Sequence, residues 1–189
     1  SFNPWKNTVK AGSGLLGDHF TIDTRLSRIS SDGYIDRASS KLGAFYISGA
    51  YLTKKSSLRL NVFSGKEKTY QAWNGVLQSD LANCRTCNSA GTEKPGEPYE
   101  NETDNYQQDH YQLFYNHEFS DRLSINAAGF LSRGRGYYEQ YKAEEEFSKY
   151  GLENPVIGNT IIETTDLVRQ LWLDNYYYGG IFSAQYKYK

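Results

Sequence analysis

From Tyr111 to Leu131 the chain alternates with a period of two, broken only by Ser120, Asp121 and Arg122. Tyr111, Leu113, Tyr115 and Phe119 share one parity with Gln112, Asn116 and Glu118 between them. Leu123, Ile125, Ala127, Gly129 and Leu131 resume the apolar parity after the polar triplet. A period of two puts alternate side chains on opposite faces of a strand, whereas a helix would scatter the same residues around its axis. A three-residue connection sets Phe119 opposite Leu123, Tyr115 opposite Ala127 and Leu113 opposite Gly129, so the apolar face of the hairpin matches large residues to small ones. Such a hairpin has one oily side, which needs either a protein core or lipid against it.

The pattern recurs along the chain. Trp5, Val9 and Ala11 alternate with Lys6, Thr8 and Lys10, and Phe20, Ile22, Thr24 and Leu26 alternate with Thr21, Asp23 and Arg25. A two-residue turn at Leu16-Gly17 would place Ala11 opposite Ile22 and Val9 opposite Thr24. Ser30 to Ser40, with Ser-Asp-Gly inside it, reads as a loop. A third strand, about Leu42 to Leu52, turns at Lys54-Lys55 and pairs Tyr51 with Leu58, Gly49 with Leu60 and Ile47 with Val62. From about Gly65 to Tyr106 the alternation fades into a long loop. After the central hairpin, whose second strand runs toward Tyr141, Glu144-Glu145-Glu146 opens another long excursion. Trp172, Tyr176, Tyr178, Gly180, Phe182, Ala184 and Tyr186 mark the last of about seven strands.

Short and long connections therefore alternate. In an up-and-down sheet every second connection lies at the same end, which gathers the short turns on one rim and the long loops on the other. A soluble sandwich or lipocalin-like barrel also alternates. Loops beyond ~15 residues are uncommon in compact domains, however, and two fall on one rim here. Short periplasmic turns opposite long extracellular loops are the asymmetry of outer-membrane barrels. The expected fold is all-β, an antiparallel up-and-down transmembrane β-barrel segment with long extracellular loops. Composition agrees: there is no Met, but 17 Tyr and 9 Phe, and rings with an apolar body suit a surface that is wet on one side and greasy on the other. No run of ~18 apolar residues could form a transmembrane helix, which leaves barrel strands of ~9 to 11 residues untouched. A net charge of -1 carries no footprint of a nucleic-acid binder.

Several motifs have plainer explanations than chemistry. Gly12-Ser13-Gly14-Leu15-Leu16-Gly17 fits the dinucleotide pattern G-x-G-x-x-G, with Asp32 or Asp36 near the place of the ribose acid. That pattern needs a helix after its third glycine, and Phe20 to Leu26 alternates as a strand, so turn glycines are the better account. Cys84-Arg85-Thr86-Cys87 has the spacing of a redox pair, of half a zinc site, or of a local disulfide in an oxidising compartment; with no second Cys pair the disulfide is favoured. His19, His110 and His117 form no metal-binding pattern, and Asp32 to Asp36 lacks the spacing of a calcium loop. No nucleophile elbow accompanies the serines. We therefore expect neither an enzyme nor a cofactor or metal. The remaining candidates are aromatic residues that can hold a ligand: Tyr70, Trp73, Tyr99 and Tyr106 in one loop, and Tyr137 and Tyr138 beside the other.

Three segments, Leu26 to Ala38, Phe63 to Val76 (Phe-Ser-Gly-Lys-Glu-Lys-Thr-Tyr-Gln-Ala-Trp-Asn-Gly-Val) and Trp172 to Gly179 (Trp-Leu-Asp-Asn-Tyr-Tyr-Tyr-Gly), resemble the barrel of TonB-dependent outer-membrane receptors of the Bacteroides type. The resemblance implies a barrel of about 22 strands, filled by a plug, which imports ferric siderophores, haem, cobalamin or similar scarce nutrients. It implies the outer-membrane bilayer and the TonB complex, reached through the plug, as partners. Residues 1–189 are then expected to be an internal part of the barrel wall. About seven strands cannot close that barrel, Ser1 to Trp5 has no signal-peptide character, and Tyr188-Lys189 is not a terminal aromatic. No ligand residue of the family has a motif that can be matched residue by residue, so none is carried over. Two alternatives stay open, a small outer-membrane barrel with an adhesive or structural role and a soluble β-sheet ligand-binding domain.

Overall fold

The computed structural model describes residues 2–188; Ser1 and Lys189, the outermost residues of the two terminal segments, lie outside them. The strands are β1 (Trp5–Gly12), β2 (Phe20–Ser31), β3 (Ser40–Leu52), β4 (Ser56–Tyr70), β5 (Thr103–Ser120), β6 (Leu123–Glu146), the two short strands β7 (Val156–Ile157) and β8 (Thr160–Ile161), and β9 (Thr164–Tyr186). A 3-10 turn, Phe147–Tyr150, follows β6. Seven strands form one sheet in the order β1-β2-β3-β4-β5-β6-β9, each antiparallel to the next, while β7 and β8 pair only with each other. The architecture is the expected all-β, up-and-down one. Among the described residues β1 and β9 are the two outer strands of an open sheet.

The register around Lys54-Lys55 is the predicted one, with Tyr51 opposite Leu58, Gly49 opposite Leu60 and Ile47 opposite Val62. The Thr53 N–H donates to the Ser56 carbonyl at 2.8 Å, and the Thr53 hydroxyl accepts from the Ser56 N–H at 2.9 Å, closing the turn. The first turn differs from expectation. It bends at Gly17-Asp18, where φ is 53° and 60°, and the Leu16 carbonyl accepts from His19 (3.1 Å) and Phe20 (2.9 Å). Glycine and aspartate tolerate positive φ and leucine does not, so the bend settles one residue beyond Leu16-Gly17. Val9 consequently faces Leu26 and Ala11 faces Thr24. A slip of two residues keeps every side chain on its face.

In the central hairpin Tyr115 faces Ala127 and Leu113 faces Gly129. Phe119 does not face Leu123, because the register shifts between Glu118 and Ser120 and Ser120 takes that place. The Ser120 hydroxyl accepts from the Arg122 (3.3 Å) and Leu123 (3.2 Å) N–H groups, drawing the chain into a tighter connection. The strands are also longer than the apolar alternation indicates. Their extension shrinks the connections at the far rim to residues 32–39, 71–102 and 147–163. Tyr70 and Tyr106 therefore lie on strands rather than in a loop, while Tyr137 and Tyr138 lie on β6 as expected, a strand that runs past Tyr141 to Glu146. Beyond the apolar band both faces of the sheet are polar, so the hydropathy period disappears while the backbone ladder continues.

Register places Val9, Ile22, Leu26, Ile47, Leu58, Leu60, Leu113, Ile125 and Phe182 on one side of the sheet. Arg25, Arg59, Asn61, Gln112, Asn126 and Gln185 occupy the other. Below the loop rim the apolar side is open among the described residues: Leu26 is 61% exposed and Phe182 68%. Only Ala50, Tyr70 and Ala90 are buried apolar residues among those described. The polar side is concave, around an open hollow of about 1190 Å³ bordered by Tyr46, Phe63, Tyr106 and His110. Hydrogen bonds cross the strands there, from Arg59 to Ser48 (3.1 Å), Asn61 to Gln112 (3.3 Å) and Tyr46 to Asn61 (3.2 Å), and Phe63 stacks on His110 with centroids 4.4 Å apart.

Candidate functional site

The rim that carries the long connections holds the candidate aromatic residues of the loop, and its largest loop, residues 71–102, is pinned at two nodes. The first forms where β4 ends. The Tyr70 hydroxyl donates to the Tyr99 carbonyl at 2.6 Å, with the Ala90 carbonyl at 3.2 Å, and accepts from Arg37 Nε at 3.3 Å. Arg37 Nη2 donates to the carbonyls of Asn88 (2.6 Å) and Ala90 (2.9 Å), and its guanidinium sits 5.7 Å from the centre of the Tyr70 ring. Asn88 Nδ2 donates to the carbonyls of Asp36 (2.9 Å) and Gln71 (2.8 Å). These bonds join the β2–β3 connection to the middle of the β4–β5 loop. Gly91, with φ of 80°, lets the backbone pass close to the Tyr70 hydroxyl; a Cβ there would lie 2.8 Å from the Tyr99 carbonyl oxygen. Burial pushes the Tyr70 hydroxyl pKa up, against the lowering effect of Arg37.

The second node is Glu139 on β6. Its carboxylate accepts from the Tyr99 hydroxyl (2.6 Å), from Gln170 Nε2 (2.6 Å) and from Asn101 Nδ2, and its carbonyl accepts from Gln71 Nε2 at 3.0 Å. Burial raises the pKa of the Glu139 carboxyl, but the hydrogen bonds from Tyr99, Gln170 and Asn101 outweigh it and leave the group below the ordinary carboxylate value. Burial, together with the carboxylate it donates to, pushes Tyr99 up to about 12. A third tie links Lys142 on β6 to Glu93 of the loop at 2.6 Å.

The candidate aromatic residues do not gather into one pocket. Tyr70 is 4% exposed and Tyr99 is tied to Glu139, so both serve as pegs for the loop. Trp73, 59% exposed, meets the edge of Tyr138 at 5.3 Å, and this pair is the one set of candidate rings presented together at the rim. Tyr106 borders the concave hollow, where Gly134 and Gly136 leave room for its ring; a Cβ at either position would collide with it. Tyr137 lies against Trp172 at 4.5 Å, on the face that continues the apolar parity. Cys84 and Cys87 are joined by a disulfide, with Asp36 beside them and the Asp36 N–H donating to the Thr86 carbonyl at 2.8 Å. The glycines of G-x-G-x-x-G lead into β2 and start no helix. Arg37, Asn88 and Glu139, which organise the rim, were not singled out in the sequence; their partners are distant in the chain and no spacing announces them.

No protein-family model matches the sequence, and no curated protein matches it. Among solved structures the chain is similar to that of the ferric-catecholate import receptor Fiu from E. coli K12, in an open form. The TM-score is 0.63 at 13% sequence identity, over 100% of this chain and 32% of that one. At this identity the likeness is one of fold, and the chain spans about a third of the length of that structure.

Proposed function

We propose that this chain is part of the wall of a TonB-dependent outer-membrane receptor, of the Bacteroides type in its quoted segments, that imports a scarce nutrient. The observation that carries the proposal is the one-layer up-and-down sheet, apolar and uncovered on its convex side, polar on its concave side, with its long connections on one rim. A sheet of that kind is satisfied by lipid outside and a wet lumen inside. The fold likeness to a ferric-catecholate import receptor supports the transport role. The role is capture and passage, not bond-making, with residues 1–189 supplying wall and loops while plug and TonB contact come from elsewhere in the receptor. Paired rings, as at Trp73 and Tyr138, suit a bulky conjugated metal chelate. The test is uptake by cells that express the full-length protein or lack it, offered ferric catecholate, haem and cobalamin in turn, with and without a protonophore. Energy-dependent entry of one of the three is expected only with the protein present. Equal uptake of all three in both strains would overturn the import role.

A further inference from the structure

Beside the Cys84–Cys87 turn stands a third group that the disulfide does not use. One ligand atom from each of Asp36, Cys84 and Cys87, a carboxylate oxygen and two sulfurs, lies within 4.8 Å of the other two. The three come from separate connections, Asp36 from the one between β2 and β3 and the cysteines from the one between β4 and β5. The Asp36 carboxylate makes no hydrogen bond or ion pair with any described residue. A disulfide has no proton to donate to it, and the neighbouring Arg37 guanidinium is committed to Tyr70, Asn88 and Ala90. What holds Asp36 over the turn is its backbone. Its N–H donates to the Thr86 carbonyl at 2.8 Å, and its carbonyl accepts from Asn88 Nδ2 at 2.9 Å. These two bonds flank Cys87, and neither depends on the sulfur–sulfur bond. Within the turn the Cys84 N–H donates to the Asp80 carbonyl at 2.8 Å, again without it.

Reduced by two electrons, the same turn has different chemistry. An external thiol attacks one cystine sulfur and forms a mixed disulfide, and a second external thiol displaces the cysteine from it. Two external thiols end as one disulfide, and Cys84 and Cys87 end as two thiols. C-x2-C is the spacing at which a single turn offers two thiolates to one zinc ion, and here the Cα atoms are 5.4 Å apart. Zn–S bonds of ~2.3 Å and Zn–O bonds of ~2.0–2.2 Å in a tetrahedron set donor atoms about 3.5–3.8 Å from one another. That separation falls within the 4.8 Å that the three donors span. Two sulfurs and one oxygen suit zinc, whereas calcium and magnesium take oxygen ligands. We infer that the loop, once its disulfide is reduced, holds one Zn2+ through Cys84 Sγ, Cys87 Sγ and the Asp36 carboxylate, with water in the fourth place. The two thiols release their protons as the metal binds. Disulfide and zinc exclude each other, and they tie different things. The disulfide closes a turn within one loop; zinc bonds that loop to the β2–β3 connection.

The experiment uses the full-length protein in nonionic detergent, reduced with a water-soluble phosphine, freed of it without air and titrated with Zn2+ against a chromophoric chelator. The reduced parent is expected to bind one Zn2+ more per chain than reduced Cys84→Ser/Cys87→Ser, a difference that cancels any other thiols of the full-length chain. Co2+ in place of Zn2+ should give a thiolate-to-metal absorption that the double variant lacks. Asp36→Ala should weaken this site about tenfold or more through loss of a ligand. Asp80→Ala, which removes an acid of the same loop outside the trio, should leave it at the parental value. Zn2+ should also slow proteolytic cleavage within residues 71–102 of the reduced parent, through the added tie to Asp36. Equal Zn2+ stoichiometry in the reduced parent and the reduced double variant would overturn the inference, and parental affinity in Asp36→Ala would overturn the three-ligand site. None of these readouts depends on nutrient uptake, so this inference and the import role fail separately.

Discussion

At the scale of single residues, the loop rim is held by hydrogen bonds to charged or buried groups rather than by apolar packing. Glu139 gathers three side-chain donors from the loop, its base and β9. Replacing it by alanine leaves those donors without their acceptor, at a cost of about 1–3 kcal/mol. Glu139→Ala is therefore expected to raise the rate of proteolytic nicking within residues 71–102 about tenfold or more, since local opening exposes the loop to protease. The same bonds make the anchoring depend on pH. Tyr99 is raised to about 12 in the fold against an unfolded value near 10.0. Its contribution is fully present below pH 10 and disappears as the pH rises through 12. Glu139 is lowered from 4.5, so its contribution is present above that value and lost as the pH falls through the lowered one. Hydrogen exchange of the loop amides across the two ranges checks both signs, and Tyr99→Phe should remove the alkaline step while leaving the acid step in place.

At the scale of the strand, the two faces carry opposite requirements, and adjacent residues on β4 test them. Leu60 projects from the apolar side and Asn61 from the polar one, where it bonds Gln112 and Tyr46. An ionised side chain facing hydrocarbon is destabilising by up to ~2–4 kcal/mol for Arg or Lys at the midplane and by less for Asp. Leu60→Asp in the full-length protein is expected to lower the amount of heat-modifiable, membrane-inserted material several-fold, and Asn61→Asp to leave it near the parental level. Equal yields from the two variants would contradict a lipid-facing apolar side.

At the scale of the whole molecule, the chain makes a curved single layer with its long connections at one rim, where exposed Trp73 meets half-buried Tyr138 of β6. If that pair captures the nutrient, Trp73→Ala/Tyr138→Ala should slow uptake at low nutrient concentration by about tenfold, the order expected from losing one to two ring contacts of ~0.5–1.5 kcal/mol. Uptake at saturation should change much less. A concentration series of uptake in cells with matched outer-membrane levels of the protein separates this from a pair that only shields the barrel mouth, for which the two curves would coincide.

The period-two spacing of apolar residues by itself determined the strands, their faces and the up-and-down order, because a strand reports its face through every second side chain. The Tyr51–Leu58 register followed from turn length alone, whereas Tyr115 meets Ala127 because the irregularity between Glu118 and Ser120 offsets a turn one residue shorter than expected. The turn at Gly17-Asp18 did not, since it depends on which residues accept positive φ as well as on the spacing. The upper halves of β4 and β5 and the end of β6 beyond Tyr141 were also silent, because both faces there are mostly polar and hydropathy carries no period. Only the tertiary structure decided that Tyr70 and Tyr99 are pegs while Trp73 is presented, and that Arg37 and Glu139 hold the rim. Hydrogen bonds between residues as far apart as Gln71 and Glu139 depend on which strand ends the sheet brings together, and that proximity leaves no local trace in the chain.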